Sequence, residues 1–239
     1  MLALAAFATG IVHGATGLAG GVLLAAILAH VIGIKAAVPT ITAALILSHA
    51  SRSLLYIRDT DWPVVRQVLL FGVPMIVIGA VIFGYLAPRA VASVFALFLL
   101  ISLPIRRWAA RQQFRTGPKL LAGASSVWGL LAGNVIGPGF FLTPFLLGTG
   151  LGRLAFVGTM AFITLVMNGL KLAVFGATDL MNAELLTLGV ALGIATIPGN
   201  WFGRAVLKRL DDQTHRSIVD AMTIAMSLNF LYLAVTLPN

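Results

Sequence analysis

HGATGLAGG, residues 13–21, puts four glycines into nine positions of an otherwise apolar run. Inside a helix each glycine costs about 1 kcal/mol against alanine, so an uninterrupted membrane span has no use for four. GNVIGPG, residues 133–139, repeats the pattern with three glycines and a proline. Each stretch cuts a region, 1–32 or 120–151, that is too long for one straight span. The pieces on either side are about 11–13 residues, or roughly 16–20 Å at helical rise, against a hydrocarbon core of about 30 Å. Each piece therefore reaches about halfway. Two topologies satisfy this: a single kinked crossing, or a re-entrant hairpin that returns to its starting side.

The surroundings of both stretches are membrane-grade. The chain is 59% hydrophobic and only 10% charged, with a mean hydropathy of +1.02. Long apolar segments fall at 36–57, 65–86, 88–105, 154–176, 184–206 and 216–237. Backbone polar groups in lipid must be satisfied internally, so these spans are helices, and the short alternating segments of a membrane barrel are absent. This predicts an all-α, polytopic helical membrane protein whose first partner is the lipid bilayer. The net charge of +9 reports topology before it reports any nucleic acid, and no nucleic-acid partner is expected. Zero cysteines exclude disulfides and thiolate chemistry. Residues 1–12 lack a basic leader, so no signal peptide is read there.

Charge decides between the two topologies. If both broken regions are hairpins, the loops at 58–66, 106–119, 152–153 and 204–216 share one side. They carry twelve of the sixteen Lys and Arg residues, against Lys35 and Arg89 on the other side, with Arg52 and Lys171 inside spans. Single crossings would put the basic 106–119 and 204–216 loops on opposite faces, against the positive-inside rule. The hairpin topology follows, with basic loops cytoplasmic and both termini outside.

The halves also correspond at a shift of 119 residues. Gly10, Gly14, Gly20, Gly33 and Gly84 fall on Gly129, Gly133, Gly139, Gly152 and Gly203, more than local glycine density delivers by chance. Thr40 falls on Thr159, and Arg52 on Lys171. The expected organisation is a first repeat at 1–105 (hairpin 1–32 and three spans), a basic linker at 106–119, and a second repeat at 120–239 (hairpin 120–151 and three spans). Three spans is an odd number, so the two repeats insert inverted. Inverted repeats with interrupted helices near the midplane are secondary-transporter architecture.

The chemistry such a site supports is anion binding. Helices that restart after the two tips, near residues 21 and 140, would present unpaired N–H groups and a positive dipole end. Gly14, Gly17, Gly20, Gly137 and Gly139 would let a ligand approach the backbone, with Thr16 and Asn134 adding side-chain hydrogen bonds. The alternative is that small residues only permit close helix packing. His49 and Arg52 form an i, i+3 pair, and the repeat superposes Asn168 and Lys171 on it. A cation within a span costs about 2.5–3.5 kcal/mol on insertion scales. It either attracts an anion or snorkels to the nearer face, and the sequence leaves both readings open. His49 and His13 are the titratable candidates for proton coupling. Carboxylates are scarce, which argues against a cationic substrate. Asp220, the one acid inside a span, reads as a local i, i+4 partner of Arg216. No HExxH, G-x-S-x-G, Walker motif or paired intramembrane aspartates occur. No enzyme activity, metal or cofactor is therefore expected.

GIVHGATGLAGG (10–21), its counterpart GLLAGNVIGPGFFLTP (129–144) and the charged linker between them resemble the TauE/SafE family of sulfite and organosulfonate exporters. The resemblance covers nearly the whole chain. It implies a multi-pass transporter of the bacterial cytoplasmic membrane, with a small anion such as sulfite, sulfoacetate or thiosulfate as its partner. Direction is not implied, because both export and uptake are assigned within the family. A carboxylate transporter and a non-transporting membrane subunit are the competing readings, and no oligomeric state follows from the sequence.

Overall fold

The computed structural model describes residues 1–16, 19–111, 115–207 and 212–237. Among these there are ten helices and no strand. Six are long and apolar enough to cross a membrane. They are α3 (Ile34–Leu55), α4 (Trp62–Tyr85), α5 (Pro88–Arg111), α8 (Arg153–Ala177), α9 (Ala183–Leu207) and α10 (Asp212–Thr236). They match the six apolar segments, except that α5 runs on to Arg111 and takes Arg106 and Arg107 into the helix. The remaining four lie in the broken regions: α1 (Leu2–Thr16) and α2 (Ala19–Ile32), then α6 (Pro118–Asn134) and α7 (Gly139–Leu147).

Local chemistry sets these boundaries. Asp61 caps α4 by accepting from the Val64 N–H at 3.0 Å, with a proline just inside the helix start. At the far end of α4, Lys35 Nζ donates to the carbonyls of Phe83, Gly84 and Leu86 at 2.6–3.0 Å. The otherwise unpaired carbonyls of that helix end are thereby satisfied. Asn182 accepts from Leu185 N at 2.8 Å at the start of α9. Each is a polar residue placed where helical hydrogen bonding runs out.

The second broken region returns to its starting end. Thr116 N–H, just before α6, donates to the Gly148 carbonyl just after α7 at 2.8 Å. A kinked crossing would hold these groups a membrane apart. The arms differ from the equal halves expected: α6 has 17 residues and α7 has 9, about 25 and 14 Å. The non-helical segment 135–138 makes up part of the return. The first region folds back likewise, with Gly20 of α2 against Thr9 and His13 of α1.

Packing between the halves is reciprocal. Gly10 faces Thr196 and Gly14 faces Asn200, so α1 lies parallel to α9 of the other half. Gly129 faces Gly72, and Gly133 faces Gly79 and Ala80, so α6 lies parallel to α4. The counterpart spans α3 and α8 meet antiparallel, with Gly158 against Tyr56 and Thr60. One apolar cluster joins α1, α2, α3, α5 and α10 and reaches Ala80 and Phe83 of α4, Phe140 of α7, Phe175 of α8 and Leu192 of α9; a second joins α4, α6, α7 and α8. Gly133→Val would drive a side chain into the Gly79 backbone. We expect a loss of at least about 1–3 kcal/mol, seen as a lower unfolding temperature in detergent. Gly123→Ala, where a Cβ meets nothing within 4 Å, should be neutral or slightly stabilising.

Candidate functional site

The two Gly-rich tips meet. A Cβ on Gly21 would touch Ile136, and one on Gly137 would run into Val22. Gly137 has φ +78°, a conformation open to glycine without the Cβ penalty. Non-helical backbone at this depth must find its partners within the protein, and α8 supplies one. Lys171 Nζ donates to the Val135 carbonyl at 3.0 Å and lies 5.6 Å from the centre of the Phe175 ring. Lys171 is 0% exposed, and among the described residues no carboxylate pairs with it. Its head group points into the tip, so snorkelling does not describe it.

Beside the first hairpin lies a narrow cleft with room for about one water, lined by Thr9, His13, Ser48, Thr196 and Asn200 among others. Asn200 Nδ2 donates to Ser48 Oγ at 3.0 Å. The His13 and His49 rings meet edge to face with centroids 5.8 Å apart, and both residues are more than 90% buried. Both ring nitrogens of His13, Nδ1 of His49 and Oδ1 of Asn200 have no hydrogen-bond partner among the described residues. Arg52, partly buried, lies three residues beyond His49 on α3.

The other candidates divide by what holds them. Close helix packing accounts for the glycines at 14 and 20, because a side chain at either would enter a neighbouring helix. Gly17 and the Thr16 side chain lie outside the described residues. Gly139 opens α7, but the next two amides, of Phe140 and Phe141, already donate to Gly137 and Pro138 at 3.1 and 3.0 Å. Fewer free N–H groups remain there than an ordinary helix start offers. Asn134 and Asn168 each donate from Nδ2 to the carbonyl four residues back, Leu130 and Thr164, at 2.9 Å. Their Oδ1 atoms have no partner among the described residues.

A family model described as sulfite exporter TauE/SafE matches residues 2–230. The chain belongs to that family. It is accordingly a membrane transporter of the sulfite-exporter type. Neither the curated proteins nor the solved structures searched give a match.

In this TauE/SafE chain, three further polar residues reach the hairpins that the sequence did not single out. Thr196 and Asn200 of α9 line the cleft; a lone carboxamide inside an apolar span was the available signal. The third is Arg106. Its guanidinium lies 4.8 Å from the centre of the Phe140 ring on α7 and 3.1 Å from Asp220 Oδ1 on α10, with Thr223 Oγ1 at 3.3 Å. Arg107 binds the other carboxylate oxygen at 2.8 Å. Asp220 is thus an inter-helix partner of α5, whose extension carries both arginines to it; the Arg216 side chain, its partner expected from the sequence, lies outside the described residues. The pair is partly exposed, at 16% and 25%. Asp220→Asn should therefore cost about 1–3 kcal/mol, between an exposed and a buried ion pair, measured as a lower melting temperature.

Proposed function

We propose that this protein is a secondary transporter that exports a small sulfur-containing anion: sulfite, sulfoacetate or a related organosulfonate. One observation carries the reading. A buried ammonium, Lys171, sits without a described carboxylate partner where two Gly-rich hairpin tips meet. A desolvated cation that no acid neutralises is matched to an anionic ligand. The 119-residue shift takes Lys171 and Val135 back to Arg52 and Thr16, giving the first tip a cation at the corresponding position.

The chain is read as two inverted repeats, 1–105 and 120–239, joined by the basic 106–119 segment. The exchange of hairpins between halves and the antiparallel α3–α8 contact support this. Rocking of one half against the other would expose the tip contact alternately to each side. The excess of Lys and Arg in the 58–66, 106–119 and 204–216 loops supports a cytoplasmic 58–66 side in a bacterial cell, with both termini outside. An interior-negative potential then favours export by about 2.3 kcal/mol per charge per 100 mV.

Liposomes containing the purified protein test the reading. Flux of sulfite, thiosulfate, sulfoacetate, taurine and small carboxylates is compared under a clamped potential. Sulfite or sulfonate flux supports the proposal. Carboxylate flux alone moves the substrate class, and no flux for any probe favours a non-transporting subunit. Lys171→Met removes a costly buried charge but leaves the Val135 carbonyl without its donor, so melting should shift by no more than about 1–3 kcal/mol. The variant should still insert, and flux per inserted protein should fall at least tenfold. Parent-level flux would show that Lys171 only braces the tip. Single cysteines placed at Arg58 and Arg115 in this cysteine-free chain should label from the face opposite to one placed at Asp179.

A further inference from the structure

We infer that Phe83 of α4 and Phe175 of α8 are the two leaves of a gate, which shuts one side of the hairpin-tip site over the Lys171 ammonium. The inference rests on the transport reading above and adds the residues that close the path.

The stack over Lys171 is continuous. Lys171 and Phe175 lie one turn apart on the same face of α8, with the ammonium 5.6 Å from the centre of the Phe175 ring. Phe175 packs on Phe83, their centroids 5.2 Å apart and their planes tilted by 44°. Beyond Phe83 comes a second ammonium, Lys35 Nζ, 4.7 Å from that ring's centre. Both rings are 0% exposed. Helix α4 ends at Tyr85 and α8 at Ala177, so the ring pair stands between Lys171 and the end of the bundle that carries Lys35. On the topology proposed above, that end is the outer one.

Such a pair stops an anion for two reasons. An ion among phenyl rings gives up its water and gains no hydrogen bond in return. Aromatic faces also carry a negative potential, which holds an ammonium and repels an oxyanion. Lys35 does not relieve the barrier while the pair is closed. An ammonium has three donors, and those of Lys35 go to the carbonyls of Phe83, Gly84 and Leu86 at 2.6–3.0 Å. Lys35 thereby braces one leaf. The other is braced by Leu180 and Met181, whose amides donate to the Phe175 carbonyl at 2.9 and 3.0 Å. Each ring stands on a pinned helix end and moves with its helix.

The two leaves belong to different halves of the chain, Phe83 to 1–105 and Phe175 to 120–239. Displacing one half against the other at this end parts them. The repeat adds an independent argument. A shift of 119 residues takes Phe83 to Phe202 and returns Phe175 to Tyr56, so the opposite end also receives one ring from each half. There Phe202 is 61% exposed and set edge to face on Phe7, and Tyr56 is half-buried. Equivalent rings occur at both ends, and the structure buries one pair fully. A carrier shut on one side has this asymmetry.

The chain contains no cysteine, so the leaves can be tied selectively. The test joins Phe83→Cys to Phe175→Cys with a short, reducible bis-thiosulfonate linker and measures sulfite and sulfonate flux in liposomes under a clamped potential. A second pair, Gly84→Cys with Leu180→Cys, crosses the same seam without removing a ring, because a Cβ on Gly84 meets Leu180 at 3.4 Å. Linking either pair should cut flux at least tenfold, and reductant should restore it. The single variants Gly84→Cys and Leu180→Cys, given the same reagent, should keep their flux. If loss of a ring prevents insertion, the Gly84–Leu180 pair decides. Full flux through a protein whose linkage is confirmed by mass would overturn the gate and leave transport standing, with the rings as fixed packing between α4 and α8. No flux of any probe through the wild type would overturn the transport reading and the gate with it.

Discussion

The structure depends on keeping two backbone breaks inside an apolar bundle. A break at that depth exposes N–H and C=O groups that lipid cannot satisfy, at several kcal/mol each. The protein meets this with a buried ammonium at one tip, where Lys171 holds the Val135 carbonyl. Turn bonds from Phe140 and Phe141 to Gly137 and Pro138 occupy the next groups. The remaining protection is steric, because each tip is covered by the other. Removing the helical hydrogen bonds at 135–138 is therefore tolerable only in the assembled bundle.

Close approach follows from the same constraint. Hairpins that do not span must be gripped by helices that do, and without a hydrophobic drive between helices in lipid the grip is contact packing. Gly10 and Gly14 against α9, and Gly129 and Gly133 against α4, bring backbones together where any side chain would collide. Each hairpin is held by the other half of the chain. A rigid movement of one half against the other would carry a hairpin with it, as the proposed alternating access requires.

Polar residues follow this division of labour. At the helix ends Lys35, Asp61 and Asn182 finish backbone hydrogen bonding. Between helices, Asp220 ties α5 to α10 through Arg106 and Arg107, and Arg106 also rests on the Phe140 ring of α7. Near the tips, polar atoms of His13, His49, Asn134, Asn168 and Asn200 lack a described partner, as do single atoms of Ser53, Arg106, Thr116, Trp128 and Asn229 elsewhere. Unsatisfied groups cost least where a ligand replaces the missing partner, which the group near the tips would allow.

The spans, the two breaks and the unequal charge of the loops were legible in the residues themselves. Hydropathy, glycine clusters and Lys/Arg placement act locally or through the bilayer, which the sequence meets directly. The fate of individual polar side chains was not legible, because it depends on distant segments. Lys171 read equally well as a snorkelling cation until the Val135 carbonyl, 36 residues away, was found beside it. Gly14 read as ligand-facing until Asn200 of α9 was found packed against it. Asp220 takes two partners from another helix, neither of them near it in sequence. His13 and His49, 36 positions apart, became a pair only when α1 and α3 were packed around one cleft. The sequence by itself determined where helices form and where they stop, since those are properties of short segments in lipid. The tertiary structure decided which buried charge meets which group, because that energy depends on distances set only by folding.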